Sequence, residues 1–247
     1  LVGSEMCIRD RMTPILIFFF GIKPYMAVGT DLLFAAFTKM GGTIKLARSK
    51  HIDWRVVANL SAGSIPAALI TLYTLHTLGA TSPAVQRVMT TTLGGALLLT
   101  AAATLYKALR GKTAPVAVAP GQEAAAARPR HWSLPLLFGA LIGTLVTLTS
   151  VGAGAIGVTV LMLLYPLLPL PRIVAADIAY AVPLTLVAGM GHASLGSVDW
   201  PMLAKLLAGS IPGIWVGSHL MFKTPERVIR SLLSLLLAYA GMKLIAL

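Results

Sequence analysis

The chain has 247 residues, 57% of them hydrophobic and 11% charged, with a mean hydropathy of +0.83. That is less than half of the roughly 25% charge typical of a soluble domain, which excludes an ordinary soluble globule and points to a protein built for a bilayer. Twenty Lys and Arg against eight Asp and Glu leave a formal charge of +12; in so apolar a chain this surplus marks cytoplasmic loops rather than a nucleic-acid surface.

In chain order, residues 1–11, LVGSEMCIRDR, hold four charges and Cys7, the only cysteine. The stretch itself does not hold basic residues, an apolar core and a small-residue cleavage site in that order, so it does not read as a secretory signal. It reverse-translates to a string resembling a common transposon-based sequencing adapter and is read as a non-native leader, with the protein's own sequence resuming at Met12. Without Cys7 there is no disulfide framework and no thiolate chemistry. Residues 12–22 look like the surviving end of an apolar run. Apolar segments of bilayer-crossing length, about 20 residues, then fall at 26–44, 55–77, 86–108, 173–194, 201–222 and 228–246. Residues 134–170 form a run too long for one span and broken by Gly152, Gly154 and Gly157. Between the halves, residues 111–132 are rich in Ala, Pro, Gln and Arg and suit a hydrophilic cytoplasmic linker. The predicted organisation is thus a first membrane repeat at 12–110, the linker at 111–132 and a second membrane repeat at 133–247.

The repeat rests on identity at one offset. Shifting by 146 residues places VGTDLLFA (28–35) on VAADIAYA (174–181), Asp53-Trp54 on Asp199-Trp200 and AGSIP (62–66) on AGSIP (208–212), with 13 identities in the 39 positions from 28 to 66. Two halves of this kind are common in transporters. If the broken run crosses twice, or enters and leaves by one face, 13 basic residues collect on one side against 4 on the other, and the positive-inside bias then favours an inverted repeat. The predicted fold class is an all-α polytopic membrane protein of two pseudo-symmetric helical repeats with glycine-broken membrane segments.

Several residues carry chemistry. Non-helical backbone inside a bilayer is tolerated only where protein or water covers it, so the break suggests a cavity. A half-helix starting near Ile156 would aim free N–H groups and a positive dipole end at an anion there. Thr149 and Ser150 would add hydroxyl donors, and Gly152, Gly154 and Gly157 would let the backbone approach; the competing account is that these glycines only permit close helix packing. Asp31 and Asp177, at repeat-equivalent positions, read either as proton-coupling or site-shaping carboxylates or as helix-start caps. Lys39 faces the site as a cation or snorkels toward Lys45 and Arg48. His192 gates or relays a proton, or is structural. Asp53-Trp54 and Asp199-Trp200 read as N-caps with interfacial Trp, and AGSIP as a close-packing element. No GxSxG elbow, HExxH or Cys/His cluster occurs, so neither an enzyme, a metal site nor a cofactor is expected. An aspartyl protease using Asp31 and Asp177 is the main enzymatic alternative.

The glycine-rich break in LTSVGAGAIGVTVLMLLYP, the LGSVDWPMLAKLLAGSIPG helix start and the duplicated AGSIP resemble the TauE/SafE family of sulfite exporters, over Met12 to Leu247. The resemblance implies a multi-pass permease of the bacterial inner membrane for small anions, with sulfite, sulfonates and related organosulfur compounds as the substrate range. A permease for a carboxylate or a metal oxyanion is the nearest alternative. The chain departs from the family pattern in lacking the first-half glycine motif, and in carrying Asp31 and Asp177 where many relatives have a small uncharged polar residue. The expected partners are a small anionic substrate and the lipid bilayer, with no nucleic acid.

Overall fold

The computed structural model describes residues 13, 16–17, 20–48, 52–79, 82–110, 133–152, 154–221, 235, 238–239 and 242. Every described element is a helix: α1 (Pro24–Arg48), α2 (Trp54–Leu78), α3 (Pro83–Arg110), α4 (Ser133–Thr149), α5 (Ala155–Leu164), α6 (Leu170–Ser194) and α7 (Trp200–Met221). The leader at 1–11 and the linker at 111–132 lie outside the described residues, as does most of the expected span at 228–246.

The ends of these helices follow from their sequences. Asp53 caps α2, its Oδ1 accepting from the Arg55 N–H at 3.1 Å, and Asp199 does the same for α7, accepting from the Met202 N–H at 2.9 Å; both satisfy first-turn donors that have no intrahelical acceptor. The Trp after each cap, Trp54 and Trp200, is 60% exposed, as an interfacial aromatic should be. Among the described residues two helices, α2 and α6, are long and apolar enough to cross a membrane by themselves, and α4 is a shorter apolar helix. Six such spans were expected. At α1 the difference has a physical cause, because Asp31 and Lys39 fall inside its apolar stretch and lower its hydropathy.

The core gathers Leu32 of α1, Leu60 of α2, Ile142 and Val146 of α4 and Leu184 of α6. Large apolar residues also face outward, among them Ile70, Tyr73, Leu137 and Met190, the outer surface that lipid requires. Helices α2 and α4 approach to backbone contact. A Cβ on Gly63, within AGSIP, would overlap the Leu136 carbonyl oxygen, and one on Gly139 or Gly143 would come within 2.5 Å of the carbonyl oxygen of Leu60 or Ser64. Small residues let bare backbones pack where no hydrophobic force drives helices together in lipid.

Helices α1 and α6 run antiparallel. Gly29 meets His192 and Ser197, Gly189 meets Leu33, and Gly42 approaches Ile178 Cγ2 at 3.9 Å. These are the helices that the 146-residue offset pairs.

Candidate functional site

The site is built on the interruption between α4 and α5. Helix α4 stops because Ser150 turns into the left-handed region, with φ at 59°, a conformation that costs a non-glycine residue about 1 kcal/mol. Thr149 stabilises the stop. Its hydroxyl donates to the Leu145 carbonyl at 2.6 Å and accepts from the Val151 N–H at 3.1 Å. Gly152 then takes φ 131°, a value only glycine adopts freely. Its carbonyl accepts from both Gly154 N–H and Gly157 N–H at 2.9 Å, and the second of these closes a wide turn that opens α5. The first-turn N–H groups of Ala155 and Ile156 have no intrahelical acceptor and leave the positive end of α5 facing the break.

Both aspartates come to this break, one at each end. Asp31, 3% exposed on α1, accepts through Oδ2 from the Ser150 hydroxyl at 3.0 Å and from the Thr13 hydroxyl. Asp177, fully buried on α6, lies against the first turn of α5, where a Cβ on Gly157 would overlap its Oδ1. Each sits seven residues into its helix, Asp31 after Pro24 and Asp177 after Leu170, too deep for an N-cap. The antiparallel register sets position 177 level with about position 44 of α1, so the backbone positions of the two aspartates stand roughly 20 Å apart along the helix axis at 1.5 Å per residue. An aspartyl protease needs them within hydrogen-bond distance, and this arrangement opposes that alternative.

The hydroxyls differ from expectation. Thr149 and Ser150 were read as donors to a ligand, but the Thr149 proton is spent on backbone carbonyls and the Ser150 proton on Asp31. Both shape the break instead. Ser150→Ala keeps the strained φ and loses the bond to a buried carboxylate, while Ser150→Gly loses the bond but relieves the backbone. We expect the alanine variant to be destabilised by about 1–2 kcal/mol and the glycine variant by less, in thermal unfolding in detergent; equal losses would show that φ stores nothing at this position.

His192 ties α6 to α4. The ring is fully buried and its Nε2 lies 2.9 Å from the Thr147 carbonyl oxygen, so Nε2 carries the proton and donates. Nδ1 has no partner among the described residues. The contact was invisible in sequence because α4 and α6 meet only in three dimensions. Lys39 is 5% exposed.

Thr13 escaped the sequence reading, although the offset pointed to it. Thr13 corresponds to Thr159 of α5, and Thr13–Asp31 and Thr159–Asp177 have the same spacing of 18 residues. A separate cavity of about 620 Å³ lies between α2, α3 and α4, lined by Thr71, Thr74, Val85, Met89 and Thr144. Its lining contains none of the residues of the break.

Comparison with known proteins agrees with this architecture. The profile of the family described as "Sulfite exporter TauE/SafE" matches residues 11–244. The "Probable membrane transporter protein YjnA" of Bacillus subtilis (strain 168) is 33% identical over 243 residues, covering 95% of this chain and 90% of that protein. The "Probable membrane transporter protein YunE" of the same organism is 25% identical over 227 residues, covering 91% and 82%. No solved structure matches. A helical chain matched by this family over nearly its whole length is a membrane transporter, and it belongs to the TauE/SafE family.

Proposed function

We propose that the protein is a multi-pass permease of the bacterial inner membrane that moves small anions, sulfite, sulfonates or related organosulfur compounds, by alternating access between two inverted repeats. The observation that carries this reading is the break at 150–154, with the positive end of α5 on one side and a buried aspartate from each repeat-equivalent helix at its two ends. Half-helix ends of this kind hold anions without a full counter-charge. The antiparallel packing of α1 on α6 supports inversion, because equivalent helices related by a two-fold axis in the membrane plane must run in opposite directions. The rocking of one repeat against the other would then open the break to each side in turn.

Sulfite flux into proteoliposomes, with and without an imposed pH gradient, tests the proposal. Saturable, gradient-responsive flux is the expected result. Folded protein that gives no sulfite flux while moving a carboxylate would replace the substrate and keep the permease. Asp177 is the residue through which a proton would enter the cycle, since its carboxyl lies against the α5 terminus where an anion would bind. Asp177→Asn cannot exchange a proton, and we expect its flux to lose the pH dependence of the parent with folding intact. A pH profile that survives the change would return Asp177 to a packing role.

A further inference from the structure

AGSIP occurs twice, and its two serines behave differently. Ser210 donates its hydroxyl to the Leu207 carbonyl of its own helix at 2.9 Å, a common outcome for a serine inside a helix. Ser64 is fully buried on α2, its Cα and Cβ close against Gly143 of α4, and its hydroxyl has no hydrogen-bond partner among the described residues. Beside it stands the hydroxyl of Tyr180 on α6, 1% exposed and likewise without a hydrogen bond among the described residues. Buried hydroxyls are costly unless they find partners. These two cannot satisfy each other completely, because if one donates to the other, the acceptor keeps a proton of its own to give.

The pair stands at the α5 end of the break. Tyr180 follows Asp177 by three residues on one face of α6 and lies within electrostatic reach of its carboxylate, which itself lies against the first turn of α5. A helical side chain leans toward the N-terminus of its helix, so the Tyr180 ring reaches back toward the level of Asp177. The 146-residue offset shows that the fold does not require hydroxyls here. It carries Ser64 to Ser210 and Tyr180 to Phe34. Phe34 packs in a cluster with Leu203, Leu206 and Leu207 of α7, the counterpart of Tyr180 meeting α2. Phe34 has no hydroxyl, and that of Ser210 is bound to its own helix. The ring alone serves the packing beside Asp31, so the hydroxyl beside Asp177 calls for another use.

We infer that the hydroxyls of Tyr180 and Ser64 donate to the transported oxyanion where it is seated at the N-terminus of α5. This rests on the anion-permease reading and deepens it: the first-turn N–H groups of Ala155 and Ile156 take one oxygen of the ligand and the hydroxyl pair takes another. The substrate class is then an anion with at least two acceptor oxygens on one centre, as sulfite and sulfonates have. Neutral donors fix the orientation of such a ligand without adding charge. The two ends of the break also differ in duty, since only the Asp177 end has the hydroxyl pair.

The experiment measures sulfite binding and thermal unfolding in detergent for the full chain and for Tyr180→Phe, Ser64→Ala and Tyr165→Phe. Tyr165 is the control: it too is fully buried with no hydrogen-bond partner for its hydroxyl among the described residues, but it stands past the other end of α5. Tyr180→Phe and Ser64→Ala are each expected to weaken sulfite binding about tenfold, about the size of one lost hydrogen bond to a charged group. Tyr165→Phe should stay within about twofold of the parent. Without sulfite, the thermal midpoint of Tyr180→Phe should hold or rise, because the change removes a buried hydroxyl and keeps the ring. Parent-like sulfite binding in Tyr180→Phe overturns the inference and leaves the permease reading standing, whatever its midpoint. An equal loss of binding in Tyr165→Phe overturns it as well, since position at the α5 end would then not matter. If Ser64→Ala does not fold, the contrast between Tyr180→Phe and Tyr165→Phe decides alone. A parent protein that neither binds nor moves sulfite or a sulfonate overturns the reading on which this inference rests, and the inference with it.

Discussion

Gly157→Ala is expected to lower sulfite flux by about tenfold or more while the protein remains folded. The added methyl would occupy the position of Asp177 Oδ1, and the carboxylate is the movable partner because only its tip must rotate away. Turning a buried carboxylate away from the positive end of a helix costs up to about 2 kcal/mol, and 1.4 kcal/mol is a factor of ten. Fold stability should fall little, since no backbone stands in the way. A second signature separates this account from general damage. Gly157→Ala and Asp177→Asn act on one contact, so their combined loss should be smaller than the product of the single losses. Parent-like flux in Gly157→Ala, or fully multiplicative losses, would show that the carboxylate's place against α5 is irrelevant to transport.

Gly63→Ala is expected to act on stability instead. Its Cβ would overlap the Leu136 carbonyl oxygen and come within 2.9 Å of the carbonyl carbon and Cα of the same residue. Backbone cannot rotate aside as a carboxylate tip can, so α2 and α4 must part along the seam where Gly139 and Gly143 also touch. Overpacking of this kind costs about 1–3 kcal/mol, and the thermal midpoint in detergent should drop by several degrees. Gly95→Ala and Gly209→Ala provide the comparison, because a Cβ at either meets nothing within 4 Å. A midpoint in Gly63→Ala equal to theirs would mean that the seam tolerates a wider spacing than it shows.

The interruption of the long apolar run was legible because length and glycine spacing conflict there: a single helix explains neither the extent of residues 134–170 nor Gly152 within it. Helix α4 ends and α5 begins within a few residues of the predicted break. The capping roles of Asp53 and Asp199 were legible for a related reason, since a cap is a local matter of one side chain and the next turn. What sequence misjudged depends on three-dimensional competition. Thr149 and Ser150 carry hydroxyls wherever they stand, but whether these serve a ligand or the protein is settled by the left-handed turn at Ser150 and by Asp31 arriving from a helix 119 residues away. His192 meets Thr147 across 45 residues, and no periodicity encodes that. Thr13 marks the boundary between the two cases: invisible as a lone hydroxyl before an apolar run, it becomes readable once the 146-residue offset is applied from Asp177 and Thr159.

The lengths of α2 and α6 carry a consequence for the surrounding lipid. Each has 25 residues, which rise about 37 Å against a hydrocarbon slab of about 30 Å. A segment longer than the slab tilts or locally thickens it, at a fraction of a kcal/mol per ångström. If one repeat rocks against the other, the tilt of these two helices changes during every turnover and the annulus of lipid is deformed and relaxed with it. Acyl-chain length then becomes a kinetic variable: thick bilayers favour the upright arrangement and thin ones the tilted, and turnover is fastest where the two cost the same.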